Sequence, residues 1–233
     1  MSRINLNIAF FVGSDLTSHL ILNKAVKSLI KARHKPYIFF IPQNPNPNTL
    51  PELKELFFYE RQFLNDYVYP FLDKRNRTSK SAQLFTMRQL KEVYGDKLHV
   101  QILENINDAE FLKFLQRNKI TAGVSIRCYQ KFSQEIIDHF NNKHHIPHQS
   151  FFVNLHPGLL PEYRGVTTYC RAMQNQEKYA GFTLHFINQY LDAGAVISKD
   201  LQPLDYSLSV VENMCIHVDS AIELLLSAIQ KLS

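Results

Sequence analysis

Short continuous runs of apolar residues alternate along this chain with longer stretches in which apolar residues recur every three or four positions. The first two runs, residues 6–12 and 37–41, are typical of strands buried on both faces. Residues 16–31, which lie between them, show the helical spacing. A strand, a helix and a second strand in this order predict a parallel sheet with a right-handed crossover.

The same alternation continues through the rest of the chain. It predicts further strands at residues 98–103, 121–126, 151–154, 181–187 and 195–199. It predicts further helices at residues 51–69, 81–94, 107–117, 133–140, 167–174 and 207–232. The predicted fold class is therefore α/β: a Rossmann-like domain with a mostly parallel sheet flanked by helices and a short C-terminal helical appendage. We expect residues 1–199 to form the main domain and residues 200–233 a C-terminal extension.

The composition indicates a folded domain that is neither a membrane protein nor a nucleic-acid-binding arm. Hydrophobic residues make up 45% of the 233 positions, and no apolar run approaches the ~20 residues that span a bilayer. The net charge of +5 suits anionic ligands, but no dense run of Lys and Arg predicts nucleic acid as a partner. A polar start without a signal peptide, and three cysteines without paired spacing (Cys128, Cys170 and Cys215), predict a cytoplasmic protein.

Aromatic residues crowd the predicted helix at 51–69. They are Phe57, Phe58, Tyr59, Phe63, Tyr67 and Tyr69. We interpret them as a packing face or a subunit contact in preference to a surface on which bases stack. Together with the broad apolar face of the helix predicted at 207–232, they suggest a homodimer.

The candidate chemistry lies where the apolar run 151–153 gives way to a turn rich in Pro and Gly. Asn154 and His156 are two positions apart, so in extended chain their side chains point to the same side. Asp192 follows another predicted strand and can orient the histidine. An amide N–H stabilises a developing oxyanion, and an imidazole moves a proton near neutral pH. The three groups together suit attack of an amine on an acyl carbon.

Residues 154–165 read Asn-Leu-His-Pro-Gly-Leu-Leu-Pro-Glu-Tyr-Arg-Gly, and an Asp-x-Gly follows 38 positions after the Asn. This pattern resembles the formyltransferases that use N10-formyltetrahydrofolate, strongly over residues 105–199 and weakly over residues 6–42. The resemblance implies N10-formyltetrahydrofolate as co-substrate and no metal. It also implies that Asn154 binds the formyl oxygen, that His156 accepts a proton and that Asp192 orients His156.

The resemblance also implies residues that bind the ligands around this triad. Tyr163, Arg164 and His185 are candidates for binding the substrate, although a packed histidine and an exposed structural arginine are open alternatives for the latter two. Arg127 and Tyr129 follow the strand predicted at 121–126, where the family forms its folate pocket.

Four other histidines could suggest a metal site. They are His139, His144, His145 and His148. Their spacing matches no compact zinc site and no cysteine supports them, so we interpret them as part of a solvated loop.

The acceptor of the formyl group is the open question within the family. A methionyl-tRNA formyltransferase would call for a sizeable C-terminal barrel, whereas mainly one helix is predicted after residue 199. Glycinamide ribonucleotide formyltransferases usually carry a proline where Arg164 stands. The resemblance therefore favours a nucleotide-linked amino sugar, such as a dTDP-4-amino-4,6-dideoxyhexose used for a surface polysaccharide. Glycinamide ribonucleotide formyltransferase and formyltetrahydrofolate hydrolase are the alternatives.

Overall fold

A computed structural model describes residues 5–43, 51–75, 85–141 and 150–232 of the chain. Its strands are β1 (Asn7–Gly13), β2 (Lys35–Ile41), β3 (His99–Ile102), β4 (Ala122–Ile126), β5 (Phe151–His156), β6 (Tyr179–Phe186) and β7 (Val196–Pro203). Its helices are α1 (Leu16–Lys31), α2 (Pro51–Phe57), α3 (Tyr69–Arg75), α4 (Met87–Tyr94), α5 (Ala109–Arg117), α6 (Gln134–Phe140), α7 (Thr168–Gln174), α8 (Val210–Ile216) and α9 (Val218–Leu232). Two π-helical turns, Phe58–Gln62 and Leu64–Val68, join α2 to α3. Residues 51–75 are named the aromatic segment below.

Polar side chains cap the start of several helices, and at α5 the residue pattern predicts the cap. Asp108 accepts a hydrogen bond of 2.7 Å from the backbone N–H of Glu110 at the start of α5. Thr86 and Gln89 form a reciprocal capping box at the start of α4, in which each side chain accepts from the backbone N–H of the other. These bonds satisfy N–H groups that the first turn of a helix leaves without a partner.

One seven-stranded sheet runs through the described part of the chain in the order β3-β2-β1-β4-β5-β6-β7. All neighbours from β3 to β5 are parallel, whereas β6 and β7 are antiparallel. From β1 the chain adds β2 and β3 on one side of the sheet and then β4 and β5 on the other, so the strand order reverses between β1 and β4. In such sheets, a crevice forms at this point beyond the carboxyl ends of the strands. The prediction of a mostly parallel α/β fold is confirmed.

The sheet separates two apolar cores because side chains of a strand alternate between its faces. Ile8, Phe10 and Val12 of β1 lie in the larger core with helices α1, α7, α8 and α9. Ala9 and Phe11 lie in the other core with α5 and α6. Both sets are fully buried, as the continuous apolar run of β1 predicts.

The predicted long helix at 207–232 is two helices, α8 and α9, with His217 at the junction. The ring of His217 contacts the hydroxyl of Tyr169 at 3.0 Å and the carbonyl of Pro203 at 3.2 Å. These contacts hold the junction against α7 and the end of β7. The aromatic helix is longer than predicted and reaches Arg75.

Helix α9 contributes its apolar face to the larger core, beside α1. The predicted domain boundary after residue 199 falls within β7, and a division of the chain there stays a prediction. Among the described residues, no helix has both the length and the apolar character needed to cross a membrane. His144, His145 and His148 lie outside the described residues, as does the start of the range predicted as a helix at 81–94. The helix of the structure begins at Met87.

Candidate active site

Four polar side chains meet where β5 and β6 approach the loop before β7. Asn154 and His156 lie on β5, and His185 lies on β6 directly opposite Asn154. Asp192 lies in the β6–β7 loop. His156, His185 and Asp192 are buried. Because β6 runs antiparallel to β5, the loop that follows β6 carries Asp192 to the two side chains of β5.

The carboxylate of Asp192 is the centre of this cluster. Its Oδ1 accepts a hydrogen bond of 3.3 Å from Asn154 Nδ2, and its Oδ2 accepts one of 2.8 Å from the backbone N–H of Gly165. Oδ2 also lies 3.5 Å from Nδ1 of His156, and Oδ1 lies 3.6 Å from Nε2 of His185. Asp192 adopts a left-handed backbone conformation with φ of 47°, which Asp tolerates better than most residues. The structure therefore brings the predicted triad Asn154, His156 and Asp192 together.

The hydrogen-bond partners of His156 assign its neutral tautomer. Nε2 lies 2.7 Å from the backbone carbonyl of Tyr163, and a carbonyl can only accept a hydrogen bond. Nε2 therefore carries the proton, and Nδ1, which faces Asp192, is the nitrogen that can accept another. A proton taken up at Nδ1 would be paired with the carboxylate at once.

His185 has the opposite tautomer. Its Nδ1 lies 2.9 Å from the carbonyl of Phe186 and so carries the proton. Its Nε2 accepts from Asn154 Nδ2 at 3.1 Å. The two N–H groups of the Asn154 amide are thus directed at His185 and Asp192. A bound oxygen atom could accept these hydrogen bonds in place of His185 and Asp192.

Burial and charge act in opposite directions on the two titrating groups. Burial lowers the pKa of His156 below its ordinary value, although Asp192 and the Tyr163 carbonyl act to raise it. Burial acts to raise the pKa of Asp192, but His185, His156 and the N–H of Gly165 outweigh it, so this pKa is lowered. A neutral imidazole beside an ionised carboxylate is the arrangement that a general base requires near neutral pH.

The two further residues of the Tyr-Arg-Gly turn have different surroundings. Tyr163 is buried, and its hydroxyl donates to Glu177 Oε1 at 2.7 Å and accepts from Asn175 Nδ2 at 3.2 Å. Arg164 is exposed, and its carbonyl accepts a hydrogen bond from Arg171. A role of Tyr163 and Arg164 in binding substrate stays a prediction.

Arg127 and Tyr129 belong to a second polar cluster at the carboxyl ends of β1 and β4. Nη2 of Arg127 donates to Glu60 at 2.9 Å and to the Tyr129 hydroxyl at 2.8 Å. Its Nε forms an ion pair with Asp15 at 3.3 Å without the alignment of a hydrogen bond. Burial acts to lower the pKa of Arg127, but Asp15 and Glu60 outweigh it and raise it. The predicted folate-binding role of Arg127 and Tyr129 is untested by this arrangement and stays a prediction.

Sequence reasoning missed Glu60 and Asp15 as members of this cluster. Glu60 stands on the aromatic segment and is buried although it is charged. The aromatic segment contains four other acidic residues, Glu52, Glu55, Asp66 and Asp73, so no sequence signal singles out Glu60 as the one whose buried charge needs a partner.

Comparison with known proteins assigns the family. The model of the formyl transferase family matches residues 103–222, just over half of the chain, a range that contains Asn154, His156 and Asp192. This protein therefore belongs to the formyl transferase family, as the motif predicts.

Individual relatives are more distant. A methionyl-tRNA formyltransferase of Syntrophomonas wolfei is 25% identical over 184 residues, which are 79% of this chain and 55% of that protein. The trifunctional purine biosynthetic protein adenosine-3 of Chironomus tentans is 31% identical over 106 residues, 45% of this chain and 7% of that protein. The chain thus spans about half or less of the length of these curated relatives.

Solved structures share the fold at low sequence identity. Phosphoribosylglycinamide formyltransferase from Streptococcus pneumoniae TIGR4 matches with a TM-score of 0.62 and 13% identity, over 97% of this chain and 98% of that one. A sugar N-formyltransferase from Shewanella sp FDAARGOS_354 matches with a TM-score of 0.57 and 15% identity, over 97% of this chain and 69% of that one. At such identities the likeness establishes the fold and leaves the acceptor undetermined.

Proposed function

We propose that this protein is an enzyme that transfers a formyl group from N10-formyltetrahydrofolate to an amine. The observation that carries the proposal is the meeting of Asn154, His156 and Asp192, in which Nδ1 of His156 lacks a proton and faces the ionised Asp192. Membership of the formyl transferase family supports the same activity.

Each member of the triad has a distinct part in the transfer. The amine forms a C–N bond to the formyl carbon, and the N–H groups of Asn154 stabilise the negative charge that develops on the formyl oxygen. Nδ1 of His156 takes the proton that the attacking nitrogen loses, and Asp192 stabilises the resulting imidazolium. When the bond between the formyl carbon and N10 breaks, the same proton passes from His156 to N10.

The acceptor that we propose is the amine of a nucleotide-linked amino sugar, with a dTDP-4-amino-4,6-dideoxyhexose as the specific candidate and surface polysaccharide synthesis as its use. The turn Tyr163-Arg164-Gly165 supports this choice, because the resemblance that it carries favours the sugar enzymes. Structures described as sugar N-formyltransferases, from Shewanella and from Mycobacterium tuberculosis, share the fold.

Glycinamide ribonucleotide is the second candidate acceptor. It is favoured by the structures of phosphoribosylglycinamide formyltransferases, several of which this chain covers almost from end to end.

A formyl-transfer assay distinguishes the candidates. Purified protein and N10-formyltetrahydrofolate are incubated with the dTDP-amino sugar, with glycinamide ribonucleotide or without acceptor, and mass spectrometry follows the gain of one formyl group. We expect transfer to the sugar. Transfer to glycinamide ribonucleotide would replace the proposed acceptor, folate turnover without acceptor would indicate a hydrolase, and no turnover with either acceptor would contradict the proposal.

We also propose that the protein is a cytoplasmic homodimer that pairs through the aromatic segment. The polar side of this segment faces the domain: Asn65 donates to the carbonyl of Ser14 at 3.0 Å, and the Tyr69 hydroxyl contacts His19 at 2.6 Å. Its aromatic side faces solvent. The exposed fractions are 50% for Tyr59, 41% for Phe63, 60% for Tyr67 and 57% for Phe71.

An outward aromatic face is unusual because it leaves apolar area in water. Four half-exposed aromatic rings offer about 400 Å² per subunit, roughly half of what one partner buries in a standard interface. Sedimentation tests the pairing with Phe63→Ser combined with Tyr67→Ser, which should give monomers. Val93→Ser removes an equally exposed apolar residue elsewhere and serves as the control. A monomeric unaltered protein at micromolar concentration would contradict the proposed dimer.

A further inference from the structure

The turn after β5 holds His156 through the backbone of Tyr163. The carbonyl of Tyr163 accepts the 2.7 Å hydrogen bond from His156 Nε2. Two residues later, the N–H of Gly165 donates to Asp192. The same short stretch of backbone therefore contacts both the base and its carboxylate, so its position determines how the two face each other.

The side chain of Tyr163 anchors this stretch to the residues that follow α7. Its hydroxyl donates to Glu177 Oε1 at 2.7 Å and accepts from Asn175. The guanidinium of Arg171 lies 5.7 Å from the centre of the ring. The ring is buried in the larger core, and its hydroxyl is held by two partners at the other end. None of these side-chain contacts takes part in the transfer described above.

We propose that Glu177, acting through Tyr163, is a positioning residue for His156. The connection runs from the Glu177 carboxylate to the Tyr163 hydroxyl, along the tyrosine to its own carbonyl, and from there to Nε2 of His156. The proposal rests on the proposed function, because positioning matters only where His156 acts as a base at Nδ1.

Gly158 shows how closely the carbonyl and the ring are fitted. A Cβ atom at this position would lie 2.9 Å from Nε2 of His156 and 2.7 Å from the carbonyl oxygen of Tyr163. Real Cβ atoms do not approach so closely, so a side chain at residue 158 would separate the two groups. Residue 158 must therefore lack a side chain if the Tyr163 carbonyl is to contact His156, and a small shift of Tyr163 would break this contact.

A displaced carbonyl has two consequences for His156. The imidazole ring becomes free to rotate, so Nδ1 no longer has to face Asp192. The pKa of His156 also falls, because burial lowers it and the Tyr163 carbonyl is one of the groups that raise it, together with Asp192. His185 and Arg171 are the other charged or titrating groups near the ring, and both act to lower this pKa.

Substitutions on either side of the hydroxyl contact test the proposal. Tyr163→Phe and Glu177→Ala each remove it, while Glu177→Gln keeps an oxygen that accepts from the hydroxyl. We expect the first two to lower kcat roughly five- to tenfold, the factor that loss of one hydrogen bond produces, with the acceptor KM unchanged. In Tyr163→Phe and Glu177→Ala, the acid limb of the kcat–pH profile should move to lower pH. Glu177→Gln should retain the kcat and the pH profile of the unaltered protein. Tyr206→Phe is the matched control, because its hydroxyl donates to the Glu177 backbone carbonyl and is not part of the connection.

Nitrogen-15 NMR of His156 keeps the proposal testable without catalysis. The unaltered protein should show a protonated Nε2 and an unprotonated Nδ1. Tyr163→Phe and Glu177→Ala should each shift His156 toward a mixture of tautomers. Unchanged tautomers and unchanged kcat in the two variants would overturn the proposal, as would an equal loss in Tyr206→Phe. A rise in acceptor KM at constant kcat would also overturn it and make Tyr163 a substrate-binding residue. Inactivity of the unaltered protein would contradict the proposed function alone, since the tautomers are measured independently.

Discussion

Two buried polar clusters lie at the carboxyl ends of the strands, and their contacts differ in kind. Around Asp192, the distances to the side chains of Asn154, His156 and His185 are 3.3–3.6 Å. Around Arg127, the bonds from Nη2 to Glu60 and Tyr129 are 2.8–3.1 Å. The first cluster contains His156, an imidazole that can accept a proton at Nδ1, whereas the guanidinium of the second is permanently charged.

We interpret the first cluster as a site that moves protons and the second as one that fixes structure, while the folate-binding role of Arg127 and Tyr129 stays a prediction. In the first cluster, the carbonyls of Tyr163 and Phe186 leave each histidine a nitrogen without a proton. The bonds of Asn154, at 3.1 and 3.3 Å, can be given up to a bound oxygen atom. Tight pairing of Arg127 with Glu60 attaches the aromatic segment to the β1 and β4 ends of the sheet. We therefore expect substitutions in the first cluster to change activity and substitutions in the second to change stability.

The largest effect is expected from His156→Asn. It removes the proton acceptor while keeping a polar side chain, and general base catalysis typically contributes 10²–10⁴ in rate, so kcat should fall roughly a thousandfold. Melting temperature checks that the fold survives. His99→Gln, on β3 and outside both clusters, should leave kcat unchanged. A fall in kcat of less than tenfold for His156→Asn would contradict the proposed difference between the two clusters.

Glu60→Ala is expected to lower stability and to leave kcat unchanged. It leaves the guanidinium of Arg127 buried with one fewer carboxylate, and breaking a buried ion pair costs about 3–5 kcal/mol of unfolding free energy. Urea denaturation measures this loss, and kcat of the folded fraction should be unchanged. Glu110→Ala removes a carboxylate from an exposed pair with Lys113 and should cost below about 1 kcal/mol. A raised KM for the folate donor in Glu60→Ala would instead connect Arg127 with folate binding, as the sequence predicts.

The largest single contribution to the dependence of stability on pH should come from His19, which lies beside the second cluster. Burial lowers its pKa from 6.5 to about 4, with Asp15 acting to raise it. Burial also lowers the pKa of His156 and His217, so these two contribute in the same direction. The folded protein therefore binds fewer protons than the unfolded chain, so the contribution of His19 is complete above pH 6.5 and is lost as the pH falls toward 4. The loss amounts to about 3 kcal/mol. Denaturation curves at several pH values measure it, and His19→Gln should flatten the dependence over this range. An equal slope in that variant would assign the effect to other groups.

The sequence predicted the first cluster because its geometry is local. Asn154 and His156 lie two positions apart on one strand, and the motif supplied Asp192, which the antiparallel β6 returns to β5. The second cluster depends on a contact between Arg127 and Glu60, which are 67 positions apart. No periodicity encodes such a contact, and Glu60 lies in π-helical turns that helical spacing does not anticipate.

The break between α8 and α9 was missed for a similar reason. The apolar positions of the two helices follow one continuous helical pattern, so the sequence predicts a single helix. Contacts of His217 with Tyr169 and Pro203 separate them, and these partners become neighbours only when the sheet has formed. Tertiary contacts thus account for what the pattern of the chain leaves out.

The smallest effect is expected from Gly165→Ala, which tests whether the turn beside Asp192 needs its backbone conformation. Gly165 has φ of 81° and a Cβ there would meet nothing within 4 Å, so the substitution adds backbone strain without a clash. Gly95 offers a matched control, with φ of 50° and equally open space outside both clusters. Gly165→Ala should lose about 1 kcal/mol of unfolding free energy, the cost of a positive φ for a residue with a side chain. Gly95→Ala should lose more, because its ψ of −132° lies outside the left-handed helical region. Only Gly165→Ala should also lower kcat, by a few-fold, because strain at this residue shifts the N–H that donates to Asp192. If both variants lose stability and neither loses activity, the N–H of Gly165 supports the fold, and catalysis tolerates its displacement from Asp192.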